Sequence, residues 1–175
     1  MPPAENQRVT VRAAGPRDTV LLLEMFGELA DYEQLRHELQ VTEELLNEAL
    51  FGERPTAEAL IAERGTAVAG YAVFYRTFSS FLGIQGVWLE DLFVRPEHRK
   101  AGVGKALLAA VAAYTHERGG KRLEWSALNW NELALGFYSS IGAKRMDEWI
   151  THRMIGEDLT RLAGESTAHP TRPRR

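Results

Sequence analysis

The 175 residues contain no cysteine. Its absence removes disulfides, thiolate metal ligands and cysteine nucleophiles together, and fits a reducing compartment. No apolar run approaches the length of a bilayer span. The N-terminal MPPAENQRV is polar and lacks the apolar stretch of a secretory signal, so a cytoplasmic protein is expected. Neither sign of charge is in large excess. The net charge is −3, and because the last twelve residues hold three arginines and one glutamate, the body is more acidic than the total. A mildly acidic body argues against a nucleic-acid surface and suits a cationic substrate. The histidines (His37, His98, His116, His152 and His169) show no metal-ligand spacing, and no serine sits in a G-x-S-x-G elbow. Neither metal nor hydrolase chemistry is therefore expected.

What is present is ordinary for a soluble domain with a sizeable core: 45% apolar and 26% charged residues. No repeat or linker splits the chain. One domain over residues 1–163 is expected, followed by a polar, proline-containing tail at 164–175 expected to be disordered.

RVTVR at 8–12 alternates and predicts a strand. Residues 16–35 carry Leu22, Met25, Phe26 and Leu29 at helical spacing; residues 42–50 predict a shorter helix with Thr42 as N-cap. Residues 57–76 predict two strands around a turn at Arg64–Gly65, and 86–94 a further strand. Leu107, Leu108, Val111 and Tyr114 line one face of a helix from about 102 to 118. Then follow a strand at 122–128, a helix at 131–143 closed by Gly142, and a last strand at 148–155. The order β-α-α-β-β-β-α-β-α-β describes an α/β (α+β) fold. Its sheet is mixed and mostly antiparallel, with strands 86–94 and 122–128 parallel through a right-handed crossover and helices on both faces.

RPEHRKAGVGKALLAAV, residues 95–111, places Gly102 and Gly104 between a basic cluster and an alanine-rich run. A Walker loop fails at Arg99 and Ala106, and a dinucleotide fingerprint fails at Leu107. R-x-x-G-x-G remains, directly after a strand and opening a helix. A helix N-terminus offers unpaired N–H groups and partial positive charge. Missing side chains at 102 and 104 let a pyrophosphate approach the backbone, and Arg99, Lys100 and Lys105 add charge. On glycine spacing alone, a glycine-rich helix start without a ligand fits as well.

Four stretches in order, ELADYE at 28–33, FGERP at 51–55, LEDLFVRPEHRKAGVGKALL at 89–108 and WNELALGFYSSIGA at 130–143, resemble the GCN5-related N-acetyltransferases. Within them the resemblance is closest to the diamine (spermidine/spermine) and thialysine acetyltransferases. It implies acetyl-CoA as cosubstrate and the family fold, with a central parallel strand pair that splays to bind the coenzyme. The pantetheine arm would pair near Leu92, Phe93 and Val94, with the Leu92 N–H as oxyanion donor. The pyrophosphate would sit on Arg99, Lys100, Ala101, Gly102, Val103, Gly104 and Lys105. Asn131, Ala134, Phe137 and Tyr138 would line the arm. Asn131 is explained equally by helix N-capping, and a continuous parallel sheet is the alternative to the splay.

An amine with a pKa of about 10 must lose a proton to attack. Glu90 and Asp91 sit mid-strand in the otherwise apolar WLEDLFV, where an unpartnered carboxylate is costly. Adjacent strand residues face opposite ways, so without a bulge only one of them looks into a given site. An ordinary ion pair is the plain alternative. The resemblance favours Glu90 as base, through water, with Asp91 holding the cationic substrate. It also implies Tyr138 as the acid for the leaving thiolate, where half-buried packing is the alternative, and Glu33 as a substrate-channel residue, where a solvated helix end is the alternative. Ser79 and Phe81 stand where the spermidine/spermine enzymes carry an acidic residue and a tryptophan; the thialysine enzymes also have serine there. This points to shorter diamines or lysine-like amines. With no cysteine for an acyl-enzyme, direct transfer in a ternary complex is expected, and the resemblance implies a homodimer. The rivals are a protein or peptide acetyltransferase and a non-catalytic acetyl-CoA sensor.

Overall fold

The structure is a computed structural model, which describes residues 8–166. The chain divides after Ser126 into two units. The first holds β1 (Val9–Ala13), α1 (Thr19–Tyr32), α2 (Glu43–Phe51), β2 (Glu58–Arg64), β3 (Ala67–Ser79), β4 (Ile84–Val94), α3 (Val103–Glu117) and β5 (Arg122–Trp125). The second holds α4 (Glu132–Ser140) and α5 (Gly156–Gly164).

The five strands form one sheet in the order β1-β2-β3-β4-β5. All neighbours are antiparallel except β4 and β5, which are parallel. The mixed, mostly antiparallel sheet is as expected: short links join β2, β3 and β4, which are antiparallel, and α3 makes the crossover between the parallel strands β4 and β5, while the long link that carries α1 and α2 returns β2 antiparallel to β1.

Alternation sorts the sheet into two buried faces. Ile61, Tyr71, Val73 and Phe93 pack with Leu22 and Met25 of α1 and Leu46 and Leu50 of α2. Phe74 points to the opposite face and meets Tyr114 of α3 edge-on, ring centroids 4.8 Å apart. Val103, Leu107, Leu108 and Val111 of α3 are buried, the stripe read from the sequence.

Helix ends follow local chemistry. Thr42 caps α2, its hydroxyl accepting from Leu45 N at 3.2 Å. Helix α1 starts at Thr19, because Pro16–Asp18 forms a 3-10 turn, and it stops at Tyr32, just before Gln34 takes φ 61°. Arg12 reaches from β1 to both oxygens of Asp18, at 2.7 and 2.8 Å, which anchors that turn.

The expected strand at 148–155 does not form. That stretch is irregular, with Trp149, Ile150 and Ile155 exposed, and the chain then enters α5. Strand preference is largely preference for a pairing partner, and alternation alone cannot supply one. In α5, Glu157 and Asp158 lie in the first turn and Arg161 in the last, each favourable to the helix dipole, and Arg161 bonds Asp158. With that strand missing, the β4–β5 pair forms one edge of the described sheet. Of the expected tail, Gly164 ends α5, and residues 167–175 lie outside the described residues.

Candidate active site

The register between β3 and β4 slips at one point. Val73 pairs with Asp91 but Phe74 pairs with Leu89, so Glu90 is an extra residue in β4. A bulge of this kind bends the strand and re-aims its side chains. Before it, Leu89 shares the α3 face with its partner Phe74; after it, Asp91 and Phe93 share the α1 face with Val73 and Tyr71. The slip lets two consecutive carboxylates serve one region, which strict alternation forbids.

Glu90 is exposed, and Trp88 Nε1 donates to its Oε2 at 3.0 Å. Burial, followed by the charge of Glu90 and a hydrogen bond to it, raises the Tyr75 phenol above its ordinary value. Asp91 is pushed up to about 6, first by burial and then by the negative charges of Glu90 and Glu33. The Tyr71 hydroxyl donates to Asp91 Oδ2 at 3.4 Å and works in the opposite direction. Glu33, the residue that follows α1, is raised by burial. The fold therefore brings Glu90 and Glu33 each within electrostatic reach of Asp91. Among the described residues no ion pair joins any of the three. The nearby Arg95 is spent on Glu28 at 2.6 Å and Glu24 at 2.9 Å, clasping α1 to the end of β4.

A buried carboxylate crowded by like charges is a stability cost that depends on pH. Its native pKa of about 6 exceeds the unfolded value near 3.8, so the ionised form is penalised above about pH 6 and the penalty vanishes below about pH 4. Asp91→Asn keeps an acceptor for Tyr71 and removes the charge. It is expected to raise the unfolding free energy by about 1–3 kcal/mol at pH 7.5. The gain should fade between pH 6 and 4 in denaturant titrations, while the KM for a cationic amine rises.

Pairing between β4 and β5 runs only from Gly86↔Arg122 to Leu89↔Trp125, while β4 continues to Val94. Pairing thus stops where β5 ends, at Trp125. Beyond Leu89 the edge of β4 has no partner in β5, and Leu92, Phe93 and Val94 lie on that stretch. Phe93 itself is buried against Tyr71, ring centroids 6.0 Å apart, so any part it plays at the edge belongs to its backbone.

After β4, a 3-10 turn at Pro96–His98 leads into the glycine loop. Lys100 has φ 60° and Gly102 φ 84°, both left-handed, so the chain reverses sharply into α3, whose first turn has no side-chain cap. The two glycines differ. Gly102 is required by its φ. Gly104 is inside the helix, and a Cβ there meets only Val94 Cγ2, at an ordinary 3.6 Å. Neither backbone shape nor internal packing demands glycine at 104, although glycine in a helix costs up to about 1 kcal/mol relative to alanine. What it leaves is bare backbone beside uncapped N–H groups, a fit for an anion brought from outside. Lys100 and Lys105 are exposed around it, Ala101 is half-buried, and the Val103 side chain is in the core, leaving only its backbone to serve the loop. Arg99 is partly committed to the fold: its Nε donates to Val94 O at 3.1 Å and its guanidinium lies 4.6 Å from the Tyr32 ring centroid.

In the second unit, Asn131 caps α4, its Oδ1 accepting from Ala134 N at 3.2 Å, as the capping alternative anticipates. The Phe137 and Tyr138 rings are tilted against each other at 49°, centroids 5.4 Å apart. Ser79 and Phe81 sit at the β3–β4 turn, where Ser79 Oγ accepts from Leu82 N at 3.4 Å and Phe81 is fully exposed. That turn is about 20 Å along the strand from Asp91.

Sequence reasoning missed the bulge and the partners of the two carboxylates: Tyr71, Tyr75 and Trp88. The one signal for the bulge was the adjacent acidic pair itself, which breaks the apolar alternation of β4.

Acyl transfer from a coenzyme thioester to an amine calls for an anion seat, an open strand edge and a proton acceptor, and β4 with its following loop offers all three, the features of an acetyltransferase domain. The chain belongs to the acetyltransferase (GNAT) family, whose sequence profile matches residues 22–143, and is an N-acetyltransferase of that type, which uses acetyl-CoA. It is 33% identical over 168 residues to the thialysine N-epsilon-acetyltransferase of Bos taurus, covering 90% of this chain and 98% of that enzyme. It is 41% identical over 92 residues to an L-ornithine N5-acetyltransferase of Arabidopsis thaliana, 53% of this chain but only 40% of that longer enzyme. Among solved structures, an integron cassette protein from the mobile metagenome of V. cholerae matches with a TM-score of 0.74 at 27% identity, covering 90% of this chain and 98% of that one.

Proposed function

We propose that the protein acetylates a primary amine of a small diamine, polyamine or lysine-like substrate, by direct attack in a ternary complex. The observation that carries this is the bulge at Glu90, which sets Glu90 beside Asp91 where Glu33 at the end of α1 also acts on Asp91, with no cation paired to any of the three among the described residues. A cationic amine supplies the missing charge. Relatives named for acetylating thialysine at N-epsilon and ornithine at N5 support a lysine-like acceptor over a long polyamine, as does Ser79.

In this reading Asp91 and Glu33 attract and orient the ammonium group, and Glu90 accepts a proton from it, directly or through water. Acetyl-CoA, when bound, supplies an acetyl group activated as a thioester. The edge of β4 at Leu92, Phe93 and Val94 would hold its arm, with the Leu92 N–H as oxyanion donor. The loop from Arg99 to Lys105 would hold its pyrophosphate. Asn131, Ala134 and Phe137 would contact the arm, and Tyr138 would protonate the departing sulfur. We further assign residues 1–163 to one catalytic domain, in a cytoplasmic homodimer.

The test is thiol release from acetyl-CoA with lysine analogues, ornithine, diamines, polyamines, aminoglycosides and peptides. Lysine-like amines and short diamines are expected to give the highest kcat/KM. Turnover of peptides alone, or tight acetyl-CoA binding with no turnover, overturns the proposal. In the same assay Tyr138→Phe is expected to lower kcat roughly 10- to 100-fold with coenzyme affinity little changed. The range is modest because a thiolate, pKa about 8.5, leaves without much help.

A further inference from the structure

We propose that Tyr71 is a positioning residue for the amine site: from inside the core its hydroxyl holds the Asp91 carboxylate in place and keeps it ionised for the substrate. The proposal rests on the assignment of Asp91 to that site.

Tyr71 is wholly buried, its ring tilted against Phe26 at 5.0 Å and Phe93 at 6.0 Å, in a cluster with Leu22, Met25 and Ile61. Every one of these neighbours is satisfied by a phenylalanine. A phenolic hydroxyl in such surroundings is costly unless it finds a partner. Its partner is Asp91 Oδ2, one strand away: Tyr71 pairs with Phe93 and Asp91 with Val73, so the hydroxyl reaches diagonally across the β3–β4 ladder.

The charged and titratable groups around this pair are Glu90 on β4, Glu28 on α1, Glu33 just after α1, and Arg95, which is occupied by Glu28 and Glu24. Glu90 and Glu33 push Asp91 toward its protonated form. Tyr71 pushes the other way, since a donor to a carboxylate favours the ionised state. Burial, then the charge of Asp91 and the hydrogen bond to it, then the charges of Glu33 and Glu28, hold the phenol itself well above its ordinary value, so it remains a donor across the working pH range. A rigid, packed ring also fixes the direction in which the carboxylate faces, which a mobile lysine or water does not.

The test is Tyr71→Phe in the full chain, with two readouts. In a ¹³C NMR titration of the Asp91 carboxyl, assigned through Asp91→Asn, the variant should bind the proton about three- to tenfold more tightly. The KM for the amine should rise about 1.5- to threefold at pH 6.5, with kcat changed less than that, and should return to the wild-type value by pH 9, where Asp91 is ionised in both proteins. An unmoved titration midpoint, or a KM defect equal at pH 6.5 and 9 as a packing loss would give, overturns the proposal. Asp91→Asn separates the two layers. If it leaves KM unchanged, the amine-site assignment fails, and the functional half of this proposal with it. If it raises KM while the Tyr71→Phe midpoint stays still, only the role of Tyr71 fails.

Discussion

Glu90→Gln is expected to lower kcat/KM by about two to three orders of magnitude near pH 7.5. The amide has the shape of the carboxylate and can still accept from Trp88 Nε1, which donates to Glu90 Oε2 at 3.0 Å. What it loses is the ability to take a proton. Because Glu90 is exposed at a bulge and not packed in the core, stability should change little. The decisive feature is the pH dependence. A lysine-like amine has a pKa of about 10, so the fraction that arrives already neutral rises tenfold per unit below that value. The deficit of the variant should therefore shrink steadily between pH 7.5 and 10 in initial-rate measurements. A deficit constant over that range, or an unchanged kcat/KM, removes Glu90 as the base.

Gly104→Asp is expected to raise the Kd for acetyl-CoA by about 100-fold, measured by calorimetry. A new carboxylate in the first turn of α3 would face the seat assigned to the pyrophosphate, and two like charges about 4–5 Å apart in a partly screened site repel by a few kcal/mol. The same substitution should not damage the fold. A Cβ at 104 makes only an ordinary contact with Val94, and an acidic residue at a helix N-terminus is favourable by about 0.3–1 kcal/mol. Lost affinity together with an unchanged or raised Tm is the expected signature. Gly104→Ala, which adds helix propensity without charge, should raise stability by about 0.5–1 kcal/mol. Unchanged affinity in Gly104→Asp would mean that the loop is not the phosphate seat.

These two variants probe different kinds of knowledge. The glycine loop was readable in the chain because its information is local. Directly after β4, a positive-φ position and an apolar stripe of period 3.6 lie within 95–111, and the helix that carries the stripe runs from Val103 to Glu117 as its periodicity requires. The first helix, the capped α2 and the hairpin strands were legible for the same reason. The strand expected at 148–155 was not borne out, because alternation describes a face and pairing requires a second strand. The role open to Asn131 was also ambiguous in the sequence, since one side chain can both cap a helix and meet a ligand.

The sequence by itself determined the class of fold, the family motif, and a pair of adjacent carboxylates in an apolar strand that had to have a purpose. Only the tertiary structure decided what that pair does together. Whether Glu90 and Asp91 face one region depends on a one-residue slip against β3. Register between strands is set by the packing of two faces at once, Phe74 and Leu89 toward α3, Tyr71 and Phe93 toward α1. The crowding of Asp91 by Glu33, and its neutral donor Tyr71, come from residues 58 and 20 positions away in the chain. Charge and burial act through space, so those neighbours exist only once the sheet and α1 have closed on each other.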